Sequence, residues 1–188
     1  MEKYSGVKFK TVFLSNNILK TTADTKKLLK WCRVFHEKGF APCYDKGSCG
    51  NLSYRTEKAM IITPSSCFFD KITEKDLVTV LALDLKAKQV FVHGIREPSS
   101  ETFLHAKIYE LREDINAVFH GHCDNIVRNA KKLKLVETEK EQAYGSLKLV
   151  EEVEKVLRKN NIIVLKNHGF ISLGETMEDA GERILRII

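Results

Sequence analysis

Two short apolar runs near the C-terminal end constrain the fold most. Residues 162–165 and 170–173 are rich in β-branched and aromatic side chains, and only Lys166-Asn167-His168-Gly169 separates them. A parallel connection needs a crossover of a dozen or more residues, so so short a link makes the two strands antiparallel neighbours. Further short strands are read at 60–62, 77–85, 89–92 and 115–122, bounded by turn residues. Helical spacing interrupts them. Leu28, Cys32 and Phe35 recur at i, i+4 and i+7 in a helix over 22–38 that Gly39 stops. Pro98-Ser99-Ser100-Glu101 opens a second helix, with the serines as N-cap candidates and Leu104, Ile108 and Leu111 as its buried stripe. A third spans 145–159, facing Leu149, Val153, Val156 and Leu157 inward, and a Thr176/Asp179 capping box starts a last helix that runs to Ile188. The stretch DKGSCGN reads as turns. Together these elements predict a layered α/β fold with a mostly antiparallel sheet.

Length narrows the organisation further. At roughly 150 residues per domain, 188 residues make one domain spanning 1–188. No apolar run reaches the roughly 18 residues of a membrane span, and the N-terminal MEKYSGVKFKTVFLSNN has no signal-peptide pattern. The five cysteines are odd in number and form no C-x-x-C pair, which excludes a disulfide framework or cysteine zinc module. These readings place the protein in the cytoplasm, away from membranes. The net charge of +6 comes from basic residues interspersed with acids. The one dense patch, Lys131, Lys132 and Lys134, has no interleaved aromatics for base stacking, so nucleic-acid binding is not expected. The balance instead suits anionic partners such as phosphorylated small molecules.

The chemistry-bearing residues are few. In Phe119-His120-Gly121-His122, strand alternation sends both imidazoles to one face, an arrangement suited to zinc or another borderline divalent metal. His168 sits where a buried strand ends and the chain turns; three histidines with open positions describe a catalytic rather than a closed site. Taken without His168, the H-x-H pair reads equally well as two ordinary histidines. Ser99 and Ser100 at a helix start offer hydroxyls and backbone amides to a phosphate, and Glu101 supplies a carboxylate there. His105, one turn beyond Glu101, either orients it or packs, and packing is the preferred reading. Gly47-Ser48-Cys49-Gly50-Asn51 and Thr63-Pro64-Ser65-Ser66 are turns of the kind that cradle anions, a weak signal by itself. Cys49 lacks a visible base partner and reads as inert.

In order along the chain, these segments resemble the class II aldolase/adducin family. GSCGNLSYR resembles its G-T-S-G-N-x-S-x-R loop, and IITPSS its I-T-P-S/T-G turn, with Ser66 where glycine is usual. EPSSETFLHAKIYELREDINAVFHGH and LKNHGFISLGETMEDA resemble its P-S-S-E…H-x-H block and its closing H-G element. The resemblance implies a three-layer α/β/α fold around a mostly antiparallel sheet. It also implies a homotetramer with active sites at subunit interfaces. His120, His122 and His168 become ligands of Zn²⁺, with Mn²⁺ or another divalent metal as alternatives. Glu101 becomes the catalytic acid/base, and Gly50, Asn51, Ser65, Ser66, Ser99 and Ser100 the substrate-phosphate site.

The implied reaction is reversible retro-aldol cleavage of a phosphorylated ketose, such as L-fuculose 1-phosphate, to dihydroxyacetone phosphate and an aldehyde through a zinc-stabilised enediolate. Other members are 4-epimerases and methylthioribulose-phosphate dehydratases, and adducin-like members are non-catalytic interaction modules. Epimerases tend to carry Asp and Lys where this chain has Glu101 and Thr63, which favours the aldolase branch, and the retained histidines argue against the non-catalytic one. Family aldolases often take a proton donor from a C-terminal tyrosine, whereas no tyrosine follows Tyr144 here.

Overall fold

A computed structural model describes residues 6–187. In chain order the elements are β1 (Lys10–Ser15), α1 (Ala23–Glu37), β2 (Cys43–Tyr44), β3 (Gly47–Ser48), β4 (Asn51–Arg55), β5 (Met60–Ile62), β6 (Val78–Asp84), β7 (Gln89–His93), α2 (Thr102–Leu111), β8 (Ala117–Gly121), α3 (Asp124–Arg128), β9 (Val136–Glu137), α4 (Leu147–Leu157), β10 (Ile162–Leu165), β11 (Gly169–Gly174) and α5 (Met177–Leu185). Nine strands form one sheet in the order β1-β7-β6-β5-β4-β8-β11-β10-β9. The pairs β1·β7 and β10·β9 are parallel and all others antiparallel. The β10–β11 hairpin pairs Leu165 with Gly169, as the short link requires.

Strand alternation divides the core in two. On one face, Ala117 and Phe119 of β8, Leu52 and Tyr54 of β4 and Phe170 of β11 pack with Leu28, Cys32 and Phe35 of α1, Ile126 of α3 and Ala180 and Ile184 of α5. Phe35 anchors this layer, its ring edge-on to Phe40 at 5.4 Å and to Phe119 at 5.6 Å. On the other face, Val118, Ile171 and Leu173 meet Leu104 and Ile108 of α2 and Leu149, Val153 and Leu157 of α4. Helices on both faces of one sheet make three layers. Among the described residues no helix is long and apolar enough to cross a membrane.

Capping sets the helix limits. Thr22 and Thr25 form a reciprocal capping box at the start of α1, and Thr176 and Asp179 another at the start of α5. Four expectations change. The α2 N-cap is Glu101 rather than a serine, because Ser99 and Ser100 are held in the preceding turn, where the Ser99 carbonyl accepts from the Thr102 amide and hydroxyl. Leu111 ends α2 at 42% exposure, outside the stripe of Leu104 and Ile108. Val156 is only half-buried on α4. Finally, α5 stops at Leu185, where the Arg186 amide bonds back to Glu182 and Ile184; Ile188 lies outside the described residues.

Candidate active site and metal centre

The central strands carry the site on the face covered by α2 and α4. Asn51 of β4 and His120 of β8 are cross-strand partners, so their side chains rise side by side. Gly50, at φ +99°, precedes Asn51; a Cβ there would lie 2.6 Å from the His120 carbonyl oxygen, so only glycine lets the loop turn this close to β8.

His120 Nδ1 lies 2.8 Å from the Phe170 carbonyl, which makes Nδ1 the protonated nitrogen and turns the Nε2 lone pair inward. His122, one residue past the end of β8, brings its Nε2 within 3.1 Å of His120 Nε2. His168 enters from the β10–β11 turn, where Asn167 adopts φ +55° and donates to Glu141 at 2.8 Å. One ligand atom from each histidine falls within 4.8 Å of the others. Burial, then repulsion from His168, pushes the His120 imidazole down to about 3. Burial and the other two imidazoles hold His122 well below the usual range. His120 and His122 therefore offer neutral nitrogens.

Glu101 closes the fourth side. Its Oε2 lies 3.3 Å from His120 Nε2 and accepts from Asn51 Nδ2 at 2.9 Å, while Oε1 is 3.8 Å from His168 Nε2. Oε1 is buried without a hydrogen-bond partner. Converging neutral nitrogens beside an unsatisfied carboxylate oxygen repel one another until a cation is shared, so these residues fit a divalent metal with a position left open for a ligand.

The histidine cluster and Glu101 line a cavity of about 360 Å³, within the range of small-molecule sites. Its lining also includes Gly50, Asn51, Ser65, Ser66, Ser99 and Ser100, whereas Gly47 and Thr63 of the same two turns do not reach it. The serines sit differently from the sequence reading. The Ser99 amide donates to the Thr63 carbonyl and the Ser65 amide to the Glu97 carbonyl, so those two N–H groups hold the fold together and are not offered to an anion. Ser66 lies at φ +54°, the conformation that makes glycine usual at this point of the turn. Burial raises the Cys49 thiol, in keeping with an inert cysteine.

Sequence reasoning missed several wall residues. Tyr44, Glu141, Gln142 and Tyr144 all line the cavity. Tyr144 is fixed by its neighbour Gly145, whose φ is +62° and whose added Cβ would sit 2.7 Å from the Ser100 carbonyl oxygen. Lys8 stacks over the Tyr144 ring at 3.9 Å, and both Tyr144 and Ser100 donate to the Gly6 carbonyl. The Asn51–Glu101 bond was missed as well. Polar–apolar alternation in Asn51-Leu52-Ser53-Tyr54 was the signal that this stretch is a strand with Asn51 and Ser53 on one face.

Known proteins share this arrangement of sequence and fold. Residues 26–187 match the family model described as the class II aldolase and adducin N-terminal domain. A protein of Methanococcus maripaludis named L-fuculose phosphate aldolase is 34% identical over 171 residues, covering 84% of this chain and 88% of its own. An Escherichia coli protein named 5-methylthioribulose-1-phosphate/5-deoxyribulose-1-phosphate aldolase is 27% identical, with 81% and 74% covered. A solved structure of L-fuculose 1-phosphate aldolase superposes with a TM-score of 0.72 at 25% identity, over 92% of this chain and 86% of that one. The chain belongs to the class II aldolase/adducin family.

Proposed function

We propose that residues 1–188 act as one unit, a cytoplasmic, metal-dependent sugar-phosphate aldolase that cleaves a ketose 1-phosphate such as L-fuculose 1-phosphate to dihydroxyacetone phosphate and an aldehyde. One observation carries the reading. Three imidazole nitrogens within 4.8 Å of one another and the Glu101 carboxylate meet in a cavity also lined by Ser65, Ser66, Ser99 and Ser100.

The residues divide the work. Ser65, Ser66, Ser99 and Ser100 hold the phosphate, which fixes the sugar at its unreactive end and presents the carbonyl and adjacent hydroxyl to the histidines. His120, His122 and His168 hold the cation, here Zn²⁺, with Mn²⁺ as the alternative. Once bound it supplies Lewis-acid stabilisation of the negative charge that develops on the substrate oxygens. Glu101, buried beside His120, moves the proton at the carbon freed by cleavage. A second proton must leave the hydroxyl on the other side of the broken bond. Tyr144, a cavity-wall phenol, is assigned that transfer: its oxygen takes the hydroxyl proton as its own phenol proton passes to solvent, and the reverse holds in condensation.

Names of similar proteins support this reading: the relatives at 34% and 27% identity are both named as aldolases of sugar phosphates. A homotetramer suits the exposed apolar groups at one sheet edge. Phe13 and Leu14 of β1, the edge strand, are 44% and 54% exposed, and nearby Ile95 is 49% exposed.

Purified protein loaded with Zn²⁺ or Mn²⁺ should release dihydroxyacetone phosphate from L-fuculose 1-phosphate or 5-deoxyribulose 1-phosphate. Conversion of ribulose 5-phosphate to xylulose 5-phosphate, with no triose phosphate from any ketose 1-phosphate, would instead make it an epimerase.

A further inference from the structure

The Ser65-Ser66 turn stands between two cavities. It lines the active-site cavity and a second one of about 500 Å³, and Arg96 lines the second but not the first. Arg96 therefore reaches the turn from behind. Its Nη2 donates to the Ser66 carbonyl at 2.9 Å and to the Ser65 carbonyl at 3.3 Å. Its Nη1 donates to Asp76 Oδ1 at 3.0 Å. The other Asp76 oxygen accepts from the Thr73 amide at 3.0 Å and the Thr73 hydroxyl at 2.8 Å. The guanidinium is thus aimed by a carboxylate that is itself held. The Ser65 amide donates to the Glu97 carbonyl at 2.9 Å, so residues 96 and 97 grip the turn through side chain and main chain together.

Ser66 makes this grip necessary. At φ +54° it occupies the left-handed region, where Cβ crowds the following carbonyl oxygen; glycine adopts this conformation freely and serine resists it. The two carbonyls that Arg96 binds belong to the two planar peptide units flanking Ser66. Their mutual orientation is set by the φ and ψ of Ser66 alone, so holding both planes holds the residue in its unfavourable conformation. Without those bonds Ser66 can relax towards negative φ and carry the cavity-lining turn with it.

We propose that Arg96 is a positioning residue: anchored on Asp76, it pins the Ser65-Ser66 turn in the left-handed conformation that shapes the substrate-phosphate cradle. It does for serine what glycine does unaided, and it touches neither phosphate nor metal. The inference rests on Ser65 and Ser66 holding the phosphate of the proposed substrate.

Calorimetric titration of the full-length, metal-loaded protein with inorganic phosphate, beside steady-state kinetics on L-fuculose 1-phosphate, tests this. Arg96→Met keeps the apolar stem and removes the guanidinium. It should weaken phosphate binding and raise KM by about tenfold, with kcat and bound metal within about twofold of wild type. The same substitution made in a Ser66→Gly background should cost only about twofold, because glycine holds the turn without help. Equal losses in the two backgrounds overturn the proposal, as does a fall in kcat or in metal content in place of the KM change. Arg96→Lys keeps the charge but not the planar fork, and it should lose about as much as Arg96→Met. Wild-type phosphate affinity in Arg96→Lys would make charge alone responsible and overturn the role of the paired bonds. If Arg96→Met does not fold, Arg96→Lys decides. A wild-type protein that binds phosphate and cleaves no ketose phosphate would remove the aldolase reading, and the phosphate titrations would still decide the role of Arg96. One that cleaves ketose 1-phosphates and binds no inorganic phosphate would overturn this proposal and leave the aldolase reading standing.

Discussion

Asn51 Nδ2 donates to Glu101 Oε2 at 2.9 Å, tying the start of strand β4 to the N-cap of helix α2 beside the histidine cluster. A carboxylate 3.3 Å from one imidazole nitrogen and 3.8 Å from another works only if its direction is held. Asn51→Ala removes that hold and leaves the buried carboxylate with fewer donors. The expected result is a loss of about 10- to 100-fold in kcat with little change in bound metal. Steady-state kinetics with elemental analysis of the same preparation checks it, and full activity in Asn51→Ala would show that Glu101 needs no tether.

Metal binding should be visible without turnover. The three imidazoles are already gathered, with ligand atoms within 4.8 Å of one another, so a cation that binds the native but not the unfolded chain stabilises the fold. At a free concentration of 100 times the dissociation constant that amounts to about 2.7 kcal/mol. Thermal unfolding of the metal-free protein should therefore shift upward on adding Zn²⁺. His120→Ala and His168→Ala should bind no stoichiometric metal, show no shift and have no aldolase activity. Retention of metal and turnover in either variant would remove the cluster from the mechanism.

Much of this site is legible in the sequence because each part carries a local signature. The H-x-H pair lies on a strand whose alternation is plain, His168 follows a buried apolar run, and Ser99-Ser100-Glu101 precedes an amphipathic helix. The antiparallel sheet follows likewise from links too short for crossovers. What stayed hidden depends on long-range pairing. Asn51-Leu52-Ser53-Tyr54-Arg55 alternates polar and apolar residues, but the stretch is short and follows glycine-rich turns, and it is pairing with β8 and β5 on either side that makes it a central strand. Lys10–Ser15 has three exposed or half-exposed apolar residues and becomes a strand only by pairing with β7. Tyr144 reaches the cavity because Gly145 packs on Ser100, 45 positions earlier, a contact no local pattern encodes.

The pH dependence of stability follows from the buried imidazoles. His105 and His120 are held down to about 3 in the folded protein, chiefly by burial, against an ordinary value near 6.5. Below pH 6.5 the unfolded chain takes up protons that the native state refuses, so stability is full above that value and falls as pH drops toward 3. Each such histidine contributes up to about 1.4 kcal/mol per pH unit across that window. Urea unfolding of the metal-free protein should give a lower midpoint at pH 5 than at pH 7.5. The difference should shrink in His105→Gln. Equal midpoints would mean these imidazoles are protonated in the native state.

Tyr144 carries the least redundant assignment on the cavity wall. Lys8 lies 3.9 Å above its ring, and its hydroxyl donates to the Gly6 carbonyl. Tyr144→Phe removes one oxygen and keeps the ring, so packing and metal binding should survive. If the phenol handles the hydroxyl proton of the bond being broken, cleavage should slow by about 10²- to 10⁴-fold, the usual worth of a positioned acid or base. On the proposed division of labour, exchange of the carbon-bound proton of dihydroxyacetone phosphate with solvent would need Glu101 and the cation but not Tyr144, so it should persist in the variant. Deuterium uptake measured by NMR beside a cleavage assay separates the two steps. Loss of both together would place Tyr144 in substrate binding, and loss of neither would return the second proton transfer to another wall residue.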